Sequence, residues 1–199
     1  MRALAFSDLH CDLGQAAELV RMSADADVVI GAGDFASVHD GLEATIDALA
    51  TIEVPALLVP GNNETEDELR DAVSQRWPAA TVLHGESTDV DGTPFYGLGA
   101  GIPVTPWDWS FDLSDEEAEP LLGECAQGAV MIVHSPPQGH VDLSGAGQHL
   151  GSAAILEAIE AKQPPLVVCG HIHESWGEES QVEATRIVNL GPHGTWFDL

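Results

Sequence analysis

Seven side chains able to bind a metal stand just beyond short apolar runs. "AFSDLH" carries Asp8 and His10, "GAGD" carries Asp34, and "VPGNN" carries Asn62 beside Asn63. "IVHSPP" carries His134, and "VVCGHIH" carries His171 and His173. Carboxylate, amide oxygen and imidazole together suit divalent ions of borderline hardness, such as Mn²⁺, Fe²⁺, Zn²⁺ or Ni²⁺, whereas Ca²⁺ takes oxygen. In Asp8-x-His10 and His171-x-His173 the donors are two residues apart. In an extended segment such residues point the same way, so each pair could reach one ion. Seven ligands with one bridging carboxylate suffice for two ions about 3.5–4 Å apart, the separation used for in-line displacement at phosphorus. Each motif alone has a plain reading: a solvated loop pair, a turn or helix cap, a hydrogen-bonded structural histidine. The whole series, each member at a strand end, points to a site.

The elements that must position these residues are apolar runs alternating with amphipathic segments. Residues 2–6, 27–33, 55–61, 80–85, 129–134, 165–170 and 185–191 are predicted as buried strands. Residues 13–24, 38–53, 64–77, 114–126 and 150–162 carry helical spacing, with Ser114 a capping residue ahead of "DEEAEPLL". Asp-Gly within "TDVDGTPFYGLGAG" predicts a β-hairpin over 88–101. No linker, repeat or low-complexity block divides the 199 residues, so one α/β domain over 1–199 is expected. In open α/β sheets, sites gather beyond the carboxyl ends of strands.

Composition narrows the partners. Six basic against 33 acidic residues leave a formal charge of −27, with Lys162 the single lysine. Such a surface repels nucleic-acid duplexes and anionic membranes, and it resembles proteins of extreme halophiles. An acidic face for a cationic partner is the alternative. No run is long enough to span a membrane, and no leader is expected ahead of chemistry that begins at residue 8. Cys11, Cys125 and Cys169 are odd in number and lack a CxxC spacing, so reduced thiols in a cytoplasmic protein are expected.

The series "DLH … GD … GNNE … H … GHIH" resembles the calcineurin-like metallophosphoesterases across about residues 4–191, closest to small prokaryotic phosphodiesterase-type members. The resemblance implies a four-layer α/β/β/α sandwich, two mixed sheets flanked by helices. It implies two divalent ions, manganese first and iron, zinc or nickel as alternatives. Asp8, His10, Asp34 and His173 would hold the first; Asn62, His134 and His171 the second, with Asp34 bridging. The implied reaction is hydrolysis of a small phosphodiester or nucleotide by metal-bound hydroxide attack. The alternative is a weakly active nucleotide-binding or protein-docking scaffold on the same fold.

By that resemblance, Asn63 stands where most members have a histidine that contacts the phosphate and protonates the leaving oxygen, a histidine that some phosphodiesterase-type relatives also lack. An amide can donate to a phosphate but cannot transfer a proton at accessible pH. His39, His140, His149 and His193 lie in loops near the ligand segments and could substitute, or could be surface histidines. His149 is read as heading a helix whose amides could receive a phosphate. Trp107 and Trp109 could stack on a base. Cys11 is read as packing and Glu64 as orienting the asparagine loop.

Overall fold

The computed structural model describes residues 1–199. Its first half alternates β1 (Arg2–Phe6), α1 (Leu13–Ser23), β2 (Val28–Gly31), α2 (Leu42–Leu49), β3 (Ala56–Leu58), α3 (Glu66–Arg76) and β4 (Ala80–Val82). A hairpin follows, β5 (Glu86–Val90) and β6 (Thr93–Leu98), turning at Asp91–Gly92 as the Asp-Gly pair dictates. Then come α4 (Asp115–Gly123), β7 (Val130–Val133), α5 (Ala153–Lys162), β8 (Leu166–Cys169), β9 (Glu179–Val182), β10 (Thr185–Asn189) and β11 (Thr195–Asp198).

The strands form two mixed sheets. One has the order β11-β1-β2-β3-β4, with β11 antiparallel to β1 and the rest parallel. The other runs β5-β6-β7-β8-β10-β9, antiparallel only at its two edges. The central strands are buried on both faces and therefore read as unbroken apolar runs, such as VVIG, VMIV and LVVC.

Three apolar clusters separate four layers. Ala5, Ile30 and Leu57 of the first sheet, with Val59 just beyond β3, meet Phe95, Ile132, Val168 and Val188 of the second. Leu4, Phe6 and Leu58 pack outward against Leu19, Ile46 and Leu69 of α1–α3. Tyr96, Met131 and Val167 pack outward against Leu122 and Ile155 of α4 and α5. The expected α/β/β/α sandwich is the observed architecture.

Register sets the position of the site. Phe6 pairs with Gly31 and Gly31 with Leu58, so β1, β2 and β3 end level and their loops open at one edge. Leu98 likewise stands opposite Val133. Ser114 and Thr65 each cap a helix with a reciprocal bond from the Glu three residues on, which sharpens the starts of α4 and α3. Helix α2 begins at Leu42 rather than near residue 38, because Val38, His39 and Gly41 adopt left-handed backbone in the loop before it. The expected run at 185–191 ends at Asn189. Strands β9 and β11 carry no clear apolar alternation, and the sequence pattern does not predict them.

All six basic residues are engaged in ion pairs or carbonyl contacts, Arg70 with Glu66 and Glu86, Arg186 with Glu179. Most of the 33 acids therefore face solvent without a cationic partner. Raising NaCl from 0.1 to 2 M, where the screening length falls from about 10 Å to under 3 Å, should raise the melting temperature. A flat or falling melting temperature across that range would show that self-repulsion does not limit stability.

Candidate metal centre

Backbone strain aims the ligands. Asp8 (φ 55°), His10 (φ 43°), Asp34 (φ 60°) and His171 (φ 69°) all occupy the left-handed region that non-glycine residues rarely adopt. This corrects the extended-segment reading of the two pairs. Asp8 and His10 converge through a tight left-handed turn. His171 and His173 diverge, because His171 is left-handed while His173 opens a 3₁₀ turn.

Two groups result. The donor atoms of Asp8, His10 and His173 lie within 4.8 Å of one another, and so do those of Asp34, His134 and His171. Asp34 stands between them. Its Oδ2 is 3.5 Å from His10 Nε2, and its Oδ1 is 3.5 Å from His134 Nε2. Asn62 joins the second group, its Oδ1 3.0 Å from His171 Nδ1 and 3.3 Å from His134 Nε2. All seven expected ligands are thus gathered at one edge of the sandwich.

The hydrogen bonds around the groups leave lone pairs pointing inward. His134 Nδ1 donates to the Ala32 carbonyl at 2.8 Å, so in the neutral ring Nε2 is a bare acceptor. His10 Nδ1 donates to the Ala36 carbonyl at 3.2 Å with the same consequence. Asn62 Nδ2 donates to Ser110 Oγ at 2.9 Å, and Ser110 Oγ donates to Asp112 Oδ1 at 2.6 Å, which turns the Asn62 oxygen inward. Imidazole nitrogen, amide oxygen and carboxylate oxygen therefore crowd one another within hydrogen-bond reach. Buried acceptors in such contact need a cation, and the N/O set fits divalent ions of borderline hardness. Burial first, then the neighbouring imidazoles, hold His171 well below the ordinary imidazole range, which keeps it a neutral ligand.

The acids are costly here. Burial, then the charge of Asp8, pushes the Asp34 carboxyl up to about 7, against the pull of His10 and the bonds from Asn63. Glu64 is wholly buried. Its Oε1 accepts from the Asp34 and Gly61 amides and its Oε2 from the Ala36 amide, so it ties the β2 and β3 loops together as expected. Burial, then Asp34, pushes it also to about 7. Only glycine fits at 61, because a Cβ there would overlap the Asp34 carboxylate.

Asn63 faces the same cleft, but its side chain is partly spent. Nδ2 donates to Asp34 Oδ2 at 2.8 Å, and Oδ1 accepts from the Val38 amide at 2.9 Å. One N–H is left over. His39, His140 and His193 are bound to Glu68 and Trp109, to Ser180, and to Gln15. Cys11 donates to backbone carbonyls and joins neither group. Helix α5 starts at Ala153 rather than His149, and its first turn is capped by Ser152 and Asp115, so its amides are not open to a phosphate. Trp107 and Trp109 stack on each other, ring centroids 5.5 Å apart.

Several supporting residues carried no sequence signal. Asp112 is one aspartate among many acids, 50 residues from the asparagine it orients. Trp176 donates to Asp8 Oδ2 at 3.0 Å while its ring packs on His173. Asn189 Nδ2 reaches the carbonyls of Val141, Gly170 and Ile172.

A cleft of about 750 Å³ opens over both groups. Its walls include Val104, Trp107, Leu150 and Val38, four of the six large apolar side chains the protein exposes. No Lys or Arg lines it.

The calcineurin-like phosphoesterase superfamily domain matches residues 1–198. Two UPF0046 proteins of Caenorhabditis elegans are similar: one is 36% identical over 90 residues, the other 26% over 181. These alignments take in 40% and 82% of the chain but only 22% and 62% of the worm proteins. The structure of TT1561 from Thermus thermophilus superposes with a TM-score of 0.79 at 18% identity, covering 96% of this chain and 90% of that one. A structure described as a novel archaeal phosphodiesterase gives 0.57 at 17%, covering 96% and 84%. At such identities the structural likeness shows the fold.

The raised carboxyls give a signed expectation. Each holds a proton in the folded metal-free chain up to about pH 7 but loses it near 4 when unfolded. Their contribution to stability therefore falls as pH rises from about 4 to 7. A divalent ion binds the deprotonated form, so the melting-temperature increase caused by Mn²⁺ should be larger at pH 8 than at pH 5.5. Equal increases at both would contradict a centre built on Asp34.

Proposed function

The chain belongs to the calcineurin-like phosphoesterase superfamily, and from that membership we propose a dinuclear hydrolase of phosphoric esters that favours diesters. The observation that carries this reading is the division of Asp34, one oxygen toward each group of ligands. Asp8, His10 and His173 would hold one ion with Asp34, and Asn62, His134 and His171 the other. The pair, manganese for preference, would supply Lewis acidity and lower the pKa of a water molecule near neutrality.

The protein's own groups supply the rest. Ser110 and Asp112 fix the Asn62 amide, while Trp176 and the His171 amide fix Asp8. Asn63 anchors Asp34, and its second N–H can contact a phosphate oxygen without acting as an acid. The apolar rim seats an organic substituent, aromatic or alkyl. Without Lys or Arg in the cleft, a singly charged diester is accommodated more readily than a doubly charged monoester. The name of the archaeal phosphodiesterase neighbour agrees with that preference.

With Mn²⁺, the chain should hydrolyse bis(4-nitrophenyl) phosphate with a higher kcat/KM than 4-nitrophenyl phosphate, and Asp34→Asn should abolish turnover of both. A higher value for the monoester would overturn the diester preference. Two bound ions with tight nucleotide binding but no turnover would favour the scaffold.

A further inference from the structure

Ester cleavage with a poor leaving group needs a proton donor, and position 63 cannot provide one. Four of the nine histidines are gathered in the two ligand groups. His39 has both ring nitrogens engaged, by Glu68 at 2.8 Å and the Trp109 carbonyl at 2.6 Å. His84, His140 and His193 do not line the cleft. His149 does, together with His10, Asn62, His171 and His173.

The setting of His149 is that of an oriented acid. Its Nδ1 lies 2.6 Å from Asp142 Oδ1, while Nε2 has no partner within the protein. The Asp142 carboxylate is wholly buried, and its Oδ2 accepts from the Gly139 and Gly151 amides, each at 2.9 Å. Burial raises this carboxyl, but the bonds from His149, Gly139 and Gly151 outweigh it and hold the group below the usual range. The loop is not adrift. Asn189 ties the Val141 carbonyl to those of Gly170 and Ile172, and Ser175 Oγ donates to the Leu143 carbonyl at 3.2 Å. The segment bearing Asp142 is thereby fastened to the one bearing His171 and His173.

We propose that His149 is the general acid of this centre, oriented by Asp142 through Nδ1, and that it replaces the proton donor missing at position 63. The inference rests on the phosphoesterase reading. A water oxygen forms the new bond to phosphorus and releases its proton to solvent. The bond from phosphorus to the leaving oxygen breaks, and that oxygen keeps the electron pair. It takes the proton from Nε2 of the His149 imidazolium. The ring is left neutral, its Nδ1–H still on Asp142, and regains a proton from solvent. Asp142 never touches substrate and is a positioning residue.

The test compares two singly charged aromatic diesters, bis(4-nitrophenyl) phosphate and dibenzyl phosphate, with the Mn²⁺-loaded protein. Nitrophenolate leaves without help, whereas benzyl alkoxide needs a proton. His149→Gln should lower kcat on dibenzyl phosphate by about 10²–10⁴ and on the nitrophenyl diester by less than about 10-fold. Asp142→Asn should show the same leaving-group selectivity, because an amide there donates to Nδ1 and imposes the wrong tautomer. Adding Asn63→His to His149→Gln should restore part of the dibenzyl rate. Metal content and circular dichroism, unchanged in His149→Gln, separate loss of the acid from loss of the fold. Equal losses on both diesters, or turnover of the nitrophenyl diester alone by the unsubstituted chain, would overturn the acid and leave the phosphoesterase standing. No turnover of either by the unsubstituted chain would overturn the phosphoesterase reading itself.

Discussion

Buried metal-binding atoms crowded together at one edge of the sandwich are the constraint around which this protein is built. Asp34, 1% exposed, offers one oxygen to each of two ligand groups, while His10 and His134 turn bare nitrogens toward it. Uncompensated, such a cluster costs the fold free energy, and burial, with the charge of Asp8 behind it, raises the Asp34 carboxyl. Positive charge placed between the groups relieves it. The surrounding structure serves to hold that placement. Glu64 fastens two loops through three amides, Asp112 turns Asn62 through Ser110, and Trp176 holds Asp8.

The sandwich supplies what no single loop could. Two sheets packed face to face bring segments more than 160 residues apart to one edge, as the contact of His10, beyond β1, with His173, beyond β8, shows. Left-handed backbone at four ligands then bends each loop inward, a strain tolerated because buried hydrogen bonds fix both ends. The charge of the surface and the character of the cleft diverge. An acidic exterior favours solvation, while the cleft gathers most of the exposed apolar side chains and no basic ones.

Much of this was legible in the sequence, for physical reasons. Strands buried on both faces appear as unbroken apolar runs, and metal-binding residue types at their ends stand out against them, so the central strands and the seven side chains gathered beyond them could be read. Edge strands could not: β9 alternates half-exposed polar residues, and β11 is a four-residue return after a glycine-rich turn. The divergence of His171 and His173 depends on φ angles that spacing does not encode. Asp112, through Ser110, and Asn189 act across long sequence separations, whereas Asp142 binds only near neighbours but is one acid in a chain so rich in them that its residue type carries no signal.

The central claim is that one carboxylate joins two ions. Electron paramagnetic resonance of the protein titrated with Mn²⁺ measures this directly. A second equivalent should convert the spectrum to that of an exchange-coupled pair, as expected for ions about 3.5–4 Å apart. Saturation at one equivalent, or two uncoupled Mn²⁺ signals, would contradict it.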